Sequence, residues 1–280
     1  CQPDRPKGRG HKLAACPVKE TAEAAGIPVF QPERIKRAEG VEALRGLAPD
    51  LCVTAAFGQL LSQEILDIPR LGTINVHASL LPRHRGSAPI NWCVMMGETV
   101  TGITTMYTDI GMDTGDMLSK ASLTVEADDT TGTLFEKLAH LGAELLVDTL
   151  EKVEKGQITR EKQDEAAATY APMLGKADET LDWQRPASKL HDQVRGLVPW
   201  PSASMVLAGK PVKVHRTAVG GETSAPAGSV VEADKNGLAI ACGDGRLLRV
   251  LELQGEGGKR MAANAFLNGK RIAAGTVLDA

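Results

Sequence analysis

Aromatic residues make up only 3% of this 280-residue chain. Platforms that stack several bases in succession need a series of exposed rings, so that mode of nucleic-acid binding is disfavoured. There is no excess of positive charge either: 32 Lys+Arg stand against 35 Asp+Glu, a net charge of −3. This excludes a globally basic nucleic-acid binder but leaves room for a local basic patch. No apolar run approaches the roughly 20 residues of a membrane-spanning helix, so no membrane role is expected. The five cysteines (Cys1, Cys16, Cys52, Cys93, Cys242) are odd in number, widely spaced and free of any C-x-x-C pair. That usage argues against a disulfide framework or a cysteine zinc site, and for a reducing, cytoplasmic compartment. No G-x-G-x-x-G follows a predicted strand, and neither G-x-x-x-x-G-K-[ST] nor G-x-S-x-G occurs. Nicotinamide chemistry, P-loop phosphoryl transfer and serine hydrolysis therefore lose support.

What is present suits a globular protein of one large or two ordinary domains, with 42% hydrophobic and 24% charged residues. Charge is uneven. Acid exceeds base up to residue 200 and base exceeds acid after it, while the opening sets Arg5, Lys7, Arg9, Lys12 and Lys19 against Asp4. Two positive regions on an acidic body suit a phosphate-bearing partner, although a solvated surface reads the same way.

Gln2 to Pro17 has no apolar period and is expected to be a loop. Helices are predicted at Val18–Gly26, Glu39–Gly46, Ser62–Ile68 with Ser62 as N-cap, and Ala88–Gly97. Strands are predicted at Ile27–Phe30, Leu51–Ala56, Thr73–Val76, Thr101–Tyr107 and Met117–Val125. The run Leu51–Ala56 has the composition of a strand buried on both faces. The longest helix, Leu134–Lys155, carries a leucine stripe, a capping box at Thr133 and Glu136, and a stop at Gly156. Short strands alternating with helices mark an α/β domain with a largely parallel sheet, spanning 1–156. A polar stretch, 157–175, reads as a linker. From 176 to 280 a helix at Ala187–Gly196 precedes five short strands: Ala203–Ala208, Val212–Thr217, Ser229–Ala233, Leu238–Cys242 and Leu247–Leu253. Their spacing suggests a small barrel of the oligonucleotide-binding (OB) kind, or a β-module that braces the first domain.

The stretch 72–117 holds the chemistry-bearing residues. Asn75 and His77 have the same parity on one strand and so share a face. An Asn amide can donate to a developing oxyanion, and an imidazole can move a proton at neutral pH. Asp109, Asp113 and Asp116 follow in one loop, but their spacing lacks the alternation of a calcium loop, and His77 has no partner at zinc-ligand spacing. No metal is expected. Asx turns could account for Asp109 and Asp116; they account for Asp113 less well if the loop faces Asn75 and His77, where a carboxylate would fix the imidazole. With no side-chain nucleophile in the set, direct attack by a substrate amine on a bound carbonyl donor is the economical scheme.

Residues 72–118 closely resemble the signature of the folate-dependent formyltransferases. Asn75, His77 and Asp113 stand at the positions of that family's catalytic trio. Ser79, Leu80, Leu81 and Pro82 match its folate-binding turn, followed by Arg83-His84-Arg85-Gly86. Gln2-Pro3-Asp4-Arg5-Pro6 with Gly8-Arg9-Gly10 resembles the basic loop that the tRNA-acting members set against an acceptor stem. Phe57-Gly58-Gln59-Leu60-Leu61 resembles the segment walling the pterin pocket. Asp182-Trp183, Arg195-Gly196, Pro199-Trp200-Pro201 and Asn264–Gly269 resemble the C-terminal domain of those members. The resemblance implies a Rossmann-like formyltransferase domain followed by an OB-like tRNA-binding domain, and a cytoplasmic, monomeric enzyme. It implies 10-formyltetrahydrofolate as donor, methionyl initiator tRNA as acceptor, and tRNA contact by Arg9. Rival readings are a formyltransferase or formyl-folate hydrolase with another acceptor, or a non-catalytic RNA-binding relative. The family carries a strand, a helix and a strand before the basic loop; these are expected to be missing here.

Overall fold

The computed structural model describes residues 1–7, 12–235, 237–268 and 272–278. Two compact units are formed. One comprises Cys1–His77, Thr104–Lys120 and Leu145–Asp164; the other comprises Ala78–Ile103, Ala121–Glu144 and Glu165–Ala280.

In chain order the first elements are β1 (Arg5–Lys7), β2 (Lys12–Ala14), α1 (Pro17–Ala24), α2 (Ala38–Gly46), β3 (Cys52–Ala55), α3 (Gln63–Leu66) and β4 (Thr73–His77). There follow α4 (Pro89–Met96), β5 (Val100–Tyr107), β6 (Met117–Thr124) and α5 (Thr131–Glu154). The expected loop at 2–17 is in part a hairpin: β1 and β2 pair antiparallel, Arg5 opposite Ala14. It escaped the sequence pattern because its described side chains are exposed or half-buried; Leu13 is 71% exposed. No strand forms at 27–30, where Ile27 and Phe30 lie exposed. A β-prone run is not a strand until a neighbour accepts its ladder.

The sheet runs β3-β4-β5-β6, with β3 and β4 parallel and β4 and β5 antiparallel. β3 is at its edge and alternates between half-buried and exposed side chains, so the expectation of a strand covered on both faces fails. Ser62 does occupy the N-cap of α3, but its hydroxyl makes no capping bond. The cap of α5 lies three residues before the expected one. Thr130 N–H donates to Thr133 Oγ1 at 3.0 Å and Thr133 N–H donates to Thr130 Oγ1 at 3.2 Å, a reciprocal box with Thr133 in the usual Glu role. Gly156, at φ +65°, follows the helix end as expected.

The remaining elements are α6 (Lys176–Glu179), α7 (Ala187–Gly196), β7 (Ala203–Leu207), β8 (Lys210–Glu222), β9 (Val230–Asp234), β10 (Gly237–Ala241), β11 (Arg246–Gly255), β12 (Met261–Ala262) and α8 (Ala263–Leu267). The five predicted strands form, in an antiparallel sheet ordered β7-β8-β11-β10-β9, with β12 added to β11. Trp183, Leu190, Leu197, Val214, Leu238, Leu248 and their neighbours fill one core beneath it. At Gly196 a Cβ would stand 2.5 Å from Met95 Cγ, so α4 and α7 pack backbone to backbone only because that position is glycine.

Candidate active site

β4 presents Asn75 and His77 on one face, as their parity predicts. Asn75 is half-buried and faces Thr54 across the parallel β3–β4 pair. Thr54 Oγ1 donates to Asn75 Oδ1 at 2.9 Å. That bond uses one lone pair of the carboxamide oxygen and fixes which end of the group carries the Nδ2 donors. His77 is only 5% exposed. Its Nδ1 stands 3.6 Å from Asp113 Oδ2, within ion-pair range though longer than a hydrogen bond. A carboxylate at that distance can orient the ring.

Asp113 reaches His77 from the loop between β5 and β6, and three features shape that loop. Asp109 Oδ1 accepts from Gly111 N–H at 3.1 Å and from Thr114 Oγ1 at 2.7 Å, the self-bonded role expected of it. Asp113 sits at φ +53°, a left-handed conformation that Asp tolerates better than most residues. At Gly115 a Cβ would lie 1.8 Å from Tyr107 O, so any side chain there would push the loop off the strand. Asp116 contributes its carbonyl, which accepts from Tyr107 N–H at 2.9 Å. Among the described residues no group of three His, Cys, Asp or Glu is arranged to hold a metal ion.

Two residues outside the sequence motif hold the trio. One is Thr54. The other is Gln163, whose Nε2 donates to Asp113 O at 2.7 Å and to Gly115 O at 2.8 Å. No local signal marks either of them, because each acts on a residue distant in the chain.

The turn Ser79–Pro82 lies in the second unit. Ser79 is 1% exposed and its Oγ donates to Arg83 O at 2.6 Å. Leu81 is buried, and Leu80 lies over Gly102 in β5. The basic run that follows is engaged internally. Arg83 and His84 both meet Glu98, and the fully buried Arg85 makes a bidentate pair with Glu165, both bonds 2.8 Å. Hydrogen bonding to Glu165 holds the Arg85 guanidinium above its ordinary range. Backbone bonds from Arg85 N–H to Thr169 O and from Ala171 N–H to Arg85 O dock residues 169–171 beside the turn. Arg9 lies outside the described residues, as does Gly269 of the C-terminal motif.

Residues 1–150 match the family described as formyl transferase, and residues 173–271 match formyl transferase, C-terminal domain. The chain is 50% identical over 277 residues to the methionyl-tRNA formyltransferase of Geotalea uraniireducens (strain Rf4), covering 99% of this chain and 88% of that protein. It is 51% identical over 278 residues to the protein of the same name from Desulfotalea psychrophila (strain LSv54), covering 99% and 86%. Among solved structures it resembles the N-formyltransferase from Helicobacter canadensis in complex with folinic acid and dTDP-3-aminofucose. That likeness has a TM-score of 0.63 at 16% identity, over 82% of this chain and 81% of that one. HypX from Aquifex aeolicus, in complex with tetrahydrofolic acid, gives a TM-score of 0.62 at 20% identity, over 81% and 40%. At these identities the structural likeness is one of fold.

Proposed function

The chain belongs to the formyl transferase family, matched along both its N-terminal and its C-terminal parts, and from that premise we propose that it formylates the α-amine of methionine on initiator tRNA, with 10-formyltetrahydrofolate as donor. The observation that carries this reading is the identity of about half of all residues, along 99% of the chain, to proteins named for that activity. The donor is a substrate, and the half-buried Asn75 amide, its oxygen bonded to Thr54 and its Nδ2 a donor, suits a formyl oxygen that gains charge.

In the proposed mechanism the neutral amine attacks the formyl carbon. Asn75 Nδ2 and His77 donate to the tetrahedral oxyanion. Asp113 orients His77 and helps remove the amine proton through a water. Collapse then breaks the bond between the formyl carbon and the folate nitrogen, which takes up the proton given up by the amine, leaving the N-formyl product and tetrahydrofolate. Ser79, Leu80, Leu81 and Pro82 bind the donor, and Arg9 contacts tRNA phosphates. Residues 1–156 supply catalysis and 176–280 an OB-like tRNA-binding domain, joined by 157–175, in a monomeric cytoplasmic enzyme.

Single substitutions test the trio. Loss of one oxyanion donor is worth about 3 kcal/mol, so Asn75→Ala should lower kcat on the order of 10²-fold. Near-wild-type turnover by Asn75→Ala, His77→Ala or Asp113→Asn removes that residue from the scheme. Arg9→Ala should raise KM for tRNA and flatten its salt dependence, since each phosphate contact releases counterions. An assay offering charged initiator tRNA, sugar nucleotides, ribonucleotides and water as acceptors separates the tRNA enzyme from its relatives. Binding of tRNA without folate would instead indicate a non-catalytic protein.

A further inference from the structure

The segment after α5 has the sequence texture of a link, yet three contacts fasten it to the first unit. Arg160 stacks over the Tyr107 ring, 4.1 Å from the centroid. Glu161 and Met117 exchange both backbone hydrogen bonds, N–H to O distances of 2.9 and 2.8 Å, at the start of β6. Two residues further on, the side-chain amide of Gln163 reaches into the loop that carries Asp113. We propose that Gln163 is a positioning residue for catalysis: its two amide protons bind the carbonyls of Asp113 and Gly115 and so fix Asp113 against His77.

The geometry favours this role over that of an amide that only meets solvent. One nitrogen donates twice, at 2.7 and 2.8 Å, to carbonyls that flank Thr114. The first of those carbonyls belongs to Asp113 itself, which adopts φ +53°. Asp109 ties Gly111 and Thr114 from within the loop, and Gln163 adds a tether from outside it, next to the catalytic carboxylate. Releasing it removes both of these bonds from the loop, and a carboxylate drifting from His77 loses its hold on the ring. The effect falls on the chemical step, because Gln163 bonds the loop backbone.

This inference rests on the proposed role of Asp113, and the test separates the two. Gln163→Glu keeps the shape but removes both donors; Gln163→Met keeps the length without polarity. Arg160→Ala loosens the same segment while leaving the amide in place. Each variant, with Asp113→Asn, is assayed for formyl transfer from 10-formyltetrahydrofolate to charged initiator tRNA, and its Tm is recorded. Both Gln163 variants should lose on the order of 10- to 100-fold in kcat, the scale of an ~1 Å misplacement, with both KM values within about twofold. Arg160→Ala should stay within a fewfold of wild type. The proposal is overturned if either Gln163 variant keeps wild-type kcat. It is equally overturned if Arg160→Ala loses as much, or if the loss lies in KM or follows Tm. Near-wild-type kcat for Asp113→Asn would instead sink the underlying assignment of the trio.

Discussion

Substituting Gly102 by alanine should show how tightly the turn Ser79–Pro82 is coupled to the strand beneath it. Gly102 lies buried in β5, and its missing Cβ leaves the space that two neighbours use. A Cβ built there stands 2.2 Å from Ala121 O on β6 and 2.6 Å from Leu80 Cδ2. The leucine methyl can swing aside. The carbonyl is backbone, and carbon–oxygen contacts settle near 3.3 Å, so it must retreat by about 1 Å. A retreat of that size stretches a strand hydrogen bond beyond its useful length. Losing one buried hydrogen bond costs about 1–3 kcal/mol, and overpacking adds about 1–3 kcal/mol. Since strain and lost bonding share one relaxation, the expected total is about 2–4 kcal/mol rather than their sum. At roughly 2–4 °C per kcal/mol for domains of this size, Tm should fall by about 5–15 °C. Leu80 moves with the relaxation, so KM for the formyl donor should rise while KM for tRNA stays level. Scanning calorimetry and donor titration read the two effects. A Tm within 2 °C of wild type together with an unchanged donor KM would refute both the tight packing and the coupling.

Further outcomes follow from the buried titratable groups. Burial opposes ionisation of Asp129, but bonds from Lys137, the Glu126 backbone and Thr133 outweigh it and hold the carboxyl below its ordinary value of 3.8. A depressed folded value gives stability that is present above 3.8 and lost as pH falls through the folded value. Asp129→Asn should therefore lower the urea midpoint at neutral pH and differ less from wild type near pH 3; a gap independent of pH would disprove the linkage. Burial pushes the Cys93 thiol up to about 11 and the Cys242 thiol up to about 12. Both should resist iodoacetamide at pH 8 in the folded protein and react after denaturation, as peptide mass spectrometry would show. Rapid native labelling of either would contradict their burial.

Much of the architecture was legible because its signals are local. The helix predicted at Ala187–Gly196 forms with those bounds, and five strands beyond it appear at their expected places. Their alternation and the turn residues between them need no distant partner to be read. The errors share a cause. At 27–30 an apolar run found no neighbouring strand, and at 2–17 a polar run did. Pairing is a property of two segments, which one segment's composition does not reveal. The cap of α5 failed more subtly. Glu136 at the third position after Thr133 satisfied the written pattern, whereas Thr130 and Thr133 satisfy the hydrogen bonds.

The site divides in the same way. Asn75 and His77 were readable as a pair because a strand has a period of two, so spacing alone sets a shared face. Missing motifs weakened the metal-thiolate, nucleotide-loop and serine-hydrolase readings, and the motif as a whole pointed to formyl transfer. Which of three aspartates serves the histidine was suggested by the family resemblance, and loop closure put Asp113 3.6 Å from His77 while Asp109 bonds its own loop. The supports lay beyond any local reading. Thr54 meets Asn75 across 21 positions, and Gln163 meets Asp113 across 50. A side chain's identity and parity are written in the chain; the partner that holds it is chosen only when strands pair and loops close, because hydrogen bonds act over about 3 Å of space, whatever the separation in sequence.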